Sequence, residues 1–410
     1  LRGQPSTRLG TSTPIIDGWQ AVGPGNVGGR TRALVISPAG PGTGEDGDEG
    51  FMLAAGVSGG IFKSTNGGAS WRPTADLLEN IAVCSLVMDP TDPNIVYAGT
   101  GEGFQNSSAV RGLGIFKSVD AGETWVQLEE TTSPFVAPFA FHYVNKLAIS
   151  PADPNRIYAA TRSGVWIHEN AGEPTNAMGD EFSWRLVLGN PFVQVGAQNS
   201  EGSAVGATDI QIRPAPVGGT PDPVEQEIVL ASFGSFIADG LFISADGGEA
   251  WFRLIDETTS EEEQLYRIDS PYQGRMSIAF STRFSANADG IVYVLMSRNG
   301  DFFTPTDPDD PALLLEFGSV VSVFRADLGD LLIERDGNDN ITNVSLPFEA
   351  RFNSVETTNA NNKLLLSNPL VSGACFGAVV PSLSQGWYDN IIKVDPVNEN
   401  VVWAGGIFFV

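Results

Sequence analysis

The sequence is poor in cysteine, histidine and basic residues. Among 410 residues it has two cysteines, two histidines and 23 lysines or arginines. Cys84 and Cys375 either pair or remain two buried thiols, and the sequence leaves both readings open. His142 and His168 lie far apart and lack the spacing of zinc ligands. No run approaches the ~20 apolar residues of a membrane helix, so we expect no membrane-spanning segment.

Acidic residues dominate the charge. The chain has 49 Asp or Glu and a formal net charge of −26. A surface of this sign repels phosphate backbones, which excludes nucleic acid as an expected partner. We interpret the acidity as a source of solubility, and a cation-binding surface is the alternative. The chain begins at Leu1 without a charged-then-apolar leader, which fits a processed protein and equally a trimmed one. We expect a secreted, extracellular or periplasmic location.

Glycine and proline are abundant, and one pattern recurs. The chain has 47 Gly and 26 Pro, which suits many short strands joined by tight turns. The pattern appears as GIFKSTNGGASW (60–71), GIFKSVDAGETW (114–125) and GLFISADGGEAW (240–251). Three copies of one pattern indicate a repeat architecture.

A second motif is in phase with the first. An alternating apolar strand, a polar turn that usually contains proline, and a second alternating strand form this motif. The turns begin at positions 37, 89, 150, 213, 281 and 395. Alternation predicts strands and Asp-Pro with Asn predicts turns, so each unit has four strands, A to D. The last step is too long for one unit. Insertions near 299–318 and 352–386 account for the excess, and a divergent extra unit is the alternative.

Sequential four-stranded units predict an all-β protein, a β-propeller of about six or seven blades. We divide the chain into an N-terminal extension (1–16) and a single propeller domain (17–410) whose last blade is incomplete. WAGGIFFV (403–410) supplies strand B and the start of strand C, and DGWQAVGP (17–24) is typical of an orphan strand D. Either this N-terminal strand closes the ring or the polypeptide continues into more blades.

Each copy of the pattern predicts strand C, a C–D hairpin and the start of strand D. Ser and Asp or Asn accept hydrogen bonds from turn amides, Gly supplies positive φ, and Trp fills the gap between blades. The residues concerned are Ser64, Asn66, Gly68, Trp71, Ser118, Asp120, Gly122, Trp125, Ser244, Asp246, Gly248 and Trp251. The pattern resembles the Asp-box, or BNR repeat. The chain therefore resembles sortilin-like, sialidase-like and xyloglucanase-like propellers of secreted bacterial proteins, which implies a structural role for these residues.

The channel mouth formed by the B–C loops and D–A connections is where we expect the functional site. Four arginines belong to this face: Arg30, Arg162, Arg275 and Arg298. We predict that they bind an anionic ligand, because Arg binds carboxylates bidentately. The alternative is that each arginine braces its own loop against a local carboxylate.

Glycoside hydrolysis is a second hypothesis for the same mouth. It requires two carboxyl groups, or a Tyr with a Glu, and the candidates are Glu102, Asp301, Tyr388 and Asp389. The sialidase signature Phe/Tyr-Arg-Ile-Pro is absent, and Ser58 stands where xyloglucanase-like enzymes carry an Asp. We predict no cofactor and no metal site. DGNDN (336–340) has alternating oxygen ligands for calcium, but Ile341 replaces the EF-hand glycine.

The sequence therefore favours a binding module that recognises a peptide, a glycan or a partner subunit, with a sialidase-like or xyloglucanase-like hydrolase as the alternative. A third class is a structural subunit of a larger extracellular or periplasmic assembly. Two apolar loops, PFVAPFAF (134–141) and PALLLEF (311–317), fit that third class because exposed apolar loops mark interfaces.

Overall fold

The computed structural model describes the following stretches of the chain: 30–45, 47–74, 82–104, 110–132, 140–169, 184–189, 206–215, 222–234, 238–255, 267–269, 273–282, 290–298, 320–351 and 390–405. The predicted extension, the orphan strand at 17–24, both predicted insertions, the loop at 134–139 and Cys375 lie outside these residues. Within them, no helix is both long enough and apolar enough to cross a bilayer.

Antiparallel four-stranded sheets follow one another along the chain, and each pairs its strands in sequence order. Blade 1 consists of β1 (Thr31–Ile36), β2 (Met52–Gly56), β3 (Gly60–Ser64) and β4 (Arg72–Pro73). Blade 2 consists of β5 (Val83–Met88), β6 (Val96–Thr100), β7 (Ile115–Ser118) and β8 (Val126–Gln127). Blade 3 consists of β9 (Val144–Ile149), β10 (Ile157–Thr161), β11 (Gly164–His168) and β12 (Trp184–Gly189). Blade 4 consists of β13 (Ala207–Ile212), β14 (Val229–Gly234), β15 (Ala238–Ser244) and β16 (Phe252–Arg253).

Blade 5 departs from the simple pattern. It consists of β17 (Gln273–Phe280), β18 (Ile291–Arg298), β19 (Val320–Asp327) and β22 (Glu349–Ala350). Between its last two strands stands a separate hairpin of β20 (Leu332–Arg335) and β21 (Ile341–Ser345). The sequence pattern did not indicate this hairpin. Blade 6 is described by β23 (Ile391–Val394) and β24 (Val402–Gly405), its predicted strands A and B.

The first strand of each blade lies beside the first strand of the next. This adjacency runs from β1 through β5, β9, β13 and β17 to β23. Every A–B turn lies where the sequence predicted it, including Ser37 after β1 and Asp395 after β23. The prediction of an all-β propeller built from four-stranded blades is therefore confirmed, and the six inner strands surround a central channel.

The three hairpins that carry the repeated pattern share one geometry. Ser118 Oγ donates to Asp120 Oδ1 at 2.8 Å and accepts from Gly122 N at 2.9 Å. Thr124 N donates to Asp120 Oδ1 at 2.8 Å. Burial alone would raise the pKa of Asp120, but the hydrogen bonds from Thr124, Ser118 and the Glu123 backbone outweigh it and lower that pKa. The carboxylate of Asp120 is therefore occupied by hydrogen bonds within its own turn.

The other two copies repeat these contacts. Gly248 N donates to Ser244 Oγ at 2.8 Å, and Gly68 N donates to Ser64 Oγ at 2.9 Å. Asp246 and Asn66 each accept a backbone N–H from the residue four positions later, at 2.9 Å. The side-chain amide oxygen of Asn66 thus accepts the same backbone hydrogen bond that the carboxylate of Asp246 accepts.

The hydrophobic core is divided among the gaps between neighbouring blades. Leu53 and Ile61 of blade 1 pack against Val83 and Phe116 of blade 2, and four further clusters fill the successive gaps up to blades 5 and 6. Burying one such side chain stabilises the fold by about 2 kcal/mol. Trp125 packs against the first of these clusters, between blades 1 and 2.

The glycine of the repeat is required by close packing. Gly122 has φ +82°, and a Cβ there would come within 2.7 Å of the Leu53 side chain in the preceding blade. Gly248 has φ +93°, and its Cβ would come within 2.8 Å of Ile167. At both positions the hairpin backbone touches the neighbouring blade, so the repeat fixes the distance between blades.

Blades 1 and 6 each present an apolar face that no cluster of described residues covers. Ala33 and Val35 pack towards blade 2, so Leu34 and Ile36 point the other way and are 56% and 51% exposed. On blade 6, Ile391 and Trp403 are 54% and 46% exposed. These two faces flank the position at which a closed ring would be sealed.

Candidate functional site

The central channel contains two adjoining cavities of about 290 and 600 Å³. Both are lined by Arg32 of β1, Cys84 of β5, Lys146 of β9, Gln211 of β13 and Lys393 of β23. Only the smaller cavity is also lined by β17, through Arg275, Ser277 and Ile278. The smaller cavity lies beneath the B–C loops, and the larger one extends towards the A–B turns.

Polar side chains of the inner strands join blades 2 to 6, each to the next, by hydrogen bonds. The bonds join Ser85 Oγ to Leu147 N (2.9 Å), Asn145 Nδ2 to Ala207 O (2.9 Å), Asp209 Oδ2 to Ile278 N (2.9 Å) and Ser277 Oγ to Asn390 O (2.7 Å). Each bond pairs a side chain of one blade with the backbone of its neighbour. Buried polar groups thereby gain partners and hold the wall of the channel at fixed spacing.

The first residues of the loop that follows β6 lie at the mouth of the channel, where Phe104 lines the smaller cavity. The Glu102 side chain is fully buried and accepts from Arg30 at 3.2 Å and from Arg32 at 3.4 Å. Phe104, which is 2% exposed, contacts two guanidinium groups, with Arg32 at 4.7 Å and Arg275 at 4.1 Å from its ring centroid. This segment of blade 2 (102–104), here called the plug, contacts blades 1 and 5.

Positive charge is concentrated in the channel. Arg32, Arg275, Lys146 and Lys393 line the smaller cavity and come from blades 1, 5, 3 and 6. The surrounding protein lowers the pKa of Lys393 by desolvation, and the charge of Lys146 lowers it further, against an opposing effect of Asp209. The two lysines therefore act on each other across the channel.

The described carboxylates near these cations are already engaged. Glu102 accepts from two arginines. Asp209 Oδ1 accepts from Ile210 N at 2.9 Å and from Gln211 Nε2 at 3.2 Å, while Oδ2 accepts from Ile278 N. In this part of the structure the cations outnumber the carboxylates, in a chain whose net charge is strongly negative.

The structure describes the side chains of three of the four arginines predicted to act together, and they lie in different places. Arg275 lines the channel and Arg30 lies at the plug. Arg162 lies in the turn after β10, outside the lining of both cavities. Arg298 ends β18 opposite Gln273, and its side chain lies outside the described part of the structure.

Of the candidate catalytic residues, only Glu102 is described, and it is the counter-ion of Arg30 and Arg32. Asp301, Tyr388 and Asp389 lie outside the described residues. The sequence reasoning missed Arg32, Phe104, Lys146 and Lys393. One signal was present, because Lys393 interrupts the apolar run of β23 on an inner strand.

The described residues contain no group of three or more His, Cys, Asp or Glu arranged to hold a metal ion. In the loop at 336–340, Asp336 Oδ1 accepts from the backbone N–H of Asn338 and Asn340, and Oδ2 accepts from Asn340 Nδ2. The turn thus uses both carboxylate oxygens. Burial and the neighbouring Arg111 lower the pKa of His142 to about 4, so this histidine is neutral at pH 7.

Solved structures include several that are similar to this chain. The ancestral GH74 enzyme gives a TM-score of 0.51 at 13% identity, over 92% of this chain and 38% of that enzyme. The GH74 xyloglucanase from Xanthomonas campestris gives 0.46 at 15% identity, over 92% and 52%. YCF48 from Cyanidioschyzon merolae gives 0.34 at 16% identity, over 61% and 62%.

No family model and no curated protein matches the chain. The chain spans 38% of the length of the ancestral enzyme. At such low identity the likeness establishes the propeller fold alone. The function must therefore be argued from the channel and its mouth.

Proposed function

We propose that this propeller is a binding module that receives an anionic group of a peptide or glycan partner in its central channel. The observation that carries the proposal is the convergence of Arg32, Lys146, Arg275 and Lys393 on one cavity. They come from four different blades, so the ring as a whole creates the positive region.

Composition does not explain this concentration of cations, because the chain has about two acidic residues for each basic one. A narrow channel with low-dielectric walls focuses the field of its charges and attracts ligands of opposite sign. Desolvation and then the charge of Lys146 lower the pKa of Lys393, so an anion beside Lys393 would offset this repulsion and add an attraction of its own. An acidic peptide or an acidic glycan would supply such a group.

The described residues favour binding over hydrolysis. A glycosidase uses two carboxyl groups, or a Tyr with a Glu, that face the substrate. Among the residues described around the smaller cavity, Glu102 and Asp209 are held by hydrogen bonds to protein groups. Hydrolysis is therefore an alternative outcome of the test. The secreted location and participation in a larger assembly stay predictions.

Calorimetric titration tests the proposal with three probes: a sialylated trisaccharide, an oligogalacturonate and a peptide with a free C-terminal carboxylate. We expect at least one to bind, with an affinity that falls as salt increases. Lys393→Gln and Lys146→Gln should each weaken that binding about tenfold, a loss of about 1.4 kcal/mol.

Lys117→Gln is the matched control. Lys117 lies over the Tyr97 ring at 5.3 Å, outside the lining of both cavities, so its loss should leave the affinity unchanged. Equal effects of all three substitutions, or no binding of any probe, would contradict the proposal. Release of reducing ends during the titration would instead favour the hydrolase hypothesis.

A further inference from the structure

Arg162 is a buried arginine that no carboxylate of the described residues neutralises. It lies in the turn between β10 and β11, on the same face as the plug, and is 8% exposed. We propose that Arg162 is a separate anion-binding residue, which takes a carboxylate at the mouth face outside the channel cavities. This inference does not depend on the function proposed for the channel.

Arg156, at the other end of the same strand, has the contacts expected of an arginine with a structural role. Arg156 precedes the same strand, β10, and is 7% exposed. It donates to Glu169 at 2.8 Å, to Glu249 at 3.2 Å, to Gly247 O at 2.7 Å and to the Tyr158 hydroxyl at 2.9 Å. The two arginines thus lie at opposite ends of one strand with nearly equal burial, and of the two only Arg156 forms ion pairs with described residues.

The surroundings of Arg162 consist of an aromatic ring and backbone. Its guanidinium carbon lies 5.3 Å from the centroid of the Tyr143 ring, and its own N–H donates to Tyr143 O at 3.2 Å. Within the described structure its side chain makes no hydrogen bond and no ion pair. Desolvation lowers the pKa of Arg162, which is the reverse of the direction for Arg156. A buried charge without a counter-ion lowers the free energy of unfolding. A role in binding would explain why the protein has such a charge at this position.

The side chain is oriented to receive a ligand. Of the three guanidinium nitrogens, Nε is sealed from solvent without a hydrogen-bond partner, and the two terminal nitrogens are not sealed. The shaft and Nε are therefore packed in protein, while the forked end meets accessible space. The Tyr143 ring restricts the plane of the guanidinium and reduces the entropy lost on binding.

The geometry and charge of the Arg162 guanidinium indicate the chemical class of the ligand. A guanidinium presents two parallel N–H groups in one plane, which match the two oxygens of a carboxylate. One guanidinium carries one positive charge, and a carboxylate neutralises it completely, whereas a phosphate dianion would leave a net negative charge in a partly desolvated site. A monocarboxylate is therefore the best match.

Thermal unfolding of the full chain in sodium acetate and in sodium chloride of equal ionic strength tests the inference. Wild type should melt about 2 °C higher in acetate, because acetate binds only the folded state. Arg162→Met should remove most of this difference, leaving only the part that acetate contributes elsewhere on the protein, and in chloride it should melt at or above the wild-type temperature. A purely structural arginine would give a lower melting temperature on the same substitution.

Controls separate this site from the channel and from net charge. Arg351→Met removes a charge from an exposed pair with Glu349 and should keep the acetate effect. Lys393→Gln should also keep it, because Lys393 lies in the channel. Loss of the effect in Lys393→Gln with retention in Arg162→Met would overturn this inference and support the channel function.

Arg162→Lys provides a second variant if the methionine protein fails to fold. It keeps the charge but presents an ammonium in place of the planar fork, so we expect most of the acetate effect to be lost. An acetate effect of wild-type size in Arg162→Lys, or no acetate effect in the wild type, would also overturn the inference.

Discussion

The guanidinium of Arg275 lies 4.1 Å from the centroid of the Phe104 ring, and this contact joins blade 5 to the plug of blade 2 across the channel mouth. Arg32 of blade 1 approaches the same ring at 4.7 Å. A ring that contacts two cations is attracted to both by its quadrupole. The plug is therefore held by the same arginines that line the cavity beneath it.

Phe104→Ala should open the mouth of the channel. Cys84 lies beneath the plug, and burial is the main cause that raises the pKa of its thiol to about 12. With water admitted, that pKa should fall, and each unit of fall gives roughly tenfold more thiolate at neutral pH. We expect the thiol of Cys84 to react with an aromatic disulfide reagent at least roughly tenfold faster, measured in a Cys375→Ser background.

Phe62→Ala serves as the control for this prediction. Phe62 belongs to β3 of blade 1, is partly buried, and lines neither cavity. It should leave the labelling rate of Cys84 near the wild-type value. If both substitutions accelerate labelling equally, general loosening of the fold explains the effect and the plug does not shield the channel.

Glu102→Gln should destabilise the fold through the arginines that it leaves behind. Arg32 and Arg30 would lose a carboxylate whose side chain is fully buried. Breaking a buried pair costs about 3–5 kcal/mol, but Arg30 is 43% exposed, so we expect a loss of about 2 kcal/mol in the free energy of unfolding. Urea denaturation measures it. Glu349→Gln, in an exposed pair with Arg351, should change stability by less than about 0.5 kcal/mol, and equal losses would contradict the prediction.

A buried carboxyl between blades 3 and 4 should make stability depend on pH. Glu227 is 1% exposed, and the Ser150 hydroxyl and Ala152 N donate to its Oε1. The Tyr158 hydroxyl lies 3.2 Å from Oε2. Desolvation raises the pKa of Glu227, against hydrogen bonds from these groups and the charge of Arg156. The folded state therefore prefers this carboxyl in its protonated form.

The sign of the pH effect follows from that preference. Below about pH 4.3, the pKa of a glutamate in the unfolded state, the carboxyl of Glu227 is protonated in both states. Its ionisation then has no effect on the free energy of unfolding. As pH rises through the unfolded value towards the raised folded value, the unfolded state loses its proton first and folding becomes less favourable. We expect the free energy of unfolding of wild type, relative to Glu227→Gln, to decrease between pH 4 and pH 7 in urea titrations. A constant difference, or an increase, would show that the fold does not raise the pKa of this carboxyl.

The fold could be predicted from the sequence because its signals are local. The alternation around each A–B turn and the repeated hairpin with Gly122 and Trp125 each specify one strand pair or one contact between blades. The β20–β21 hairpin was missed because the predicted units contain only four strands, and an inserted strand pair resembles a long connection.

The site could be predicted only in part, since a propeller brings together residues that are far apart in sequence. The mouth face was predicted from topology, and Arg275, one of the residues named for it, lines the smaller cavity. Phe104 was missed because an apolar residue in a loop carries no sign that it will contact two arginines from other blades. Lys146 and Lys393 lie in strands, and the pleat of each strand decides which residues face the channel.

The exposed faces of blades 1 and 6 lead to a final prediction about the N-terminal segment. Leu34 and Trp403 lie on these faces, and the segment 17–24, predicted as the missing strand D of the last blade, precedes β1 in the chain. If this strand completes blade 6, deletion of residues 1–24 should lower the melting temperature by several degrees, because the sheet loses an edge strand and its apolar contacts. Deletion of residues 1–16 alone is the matched control and should leave the melting temperature unchanged. Equal melting temperatures of the two truncated proteins would mean that residues 17–24 do not close the ring, and would favour a polypeptide that continues into further blades.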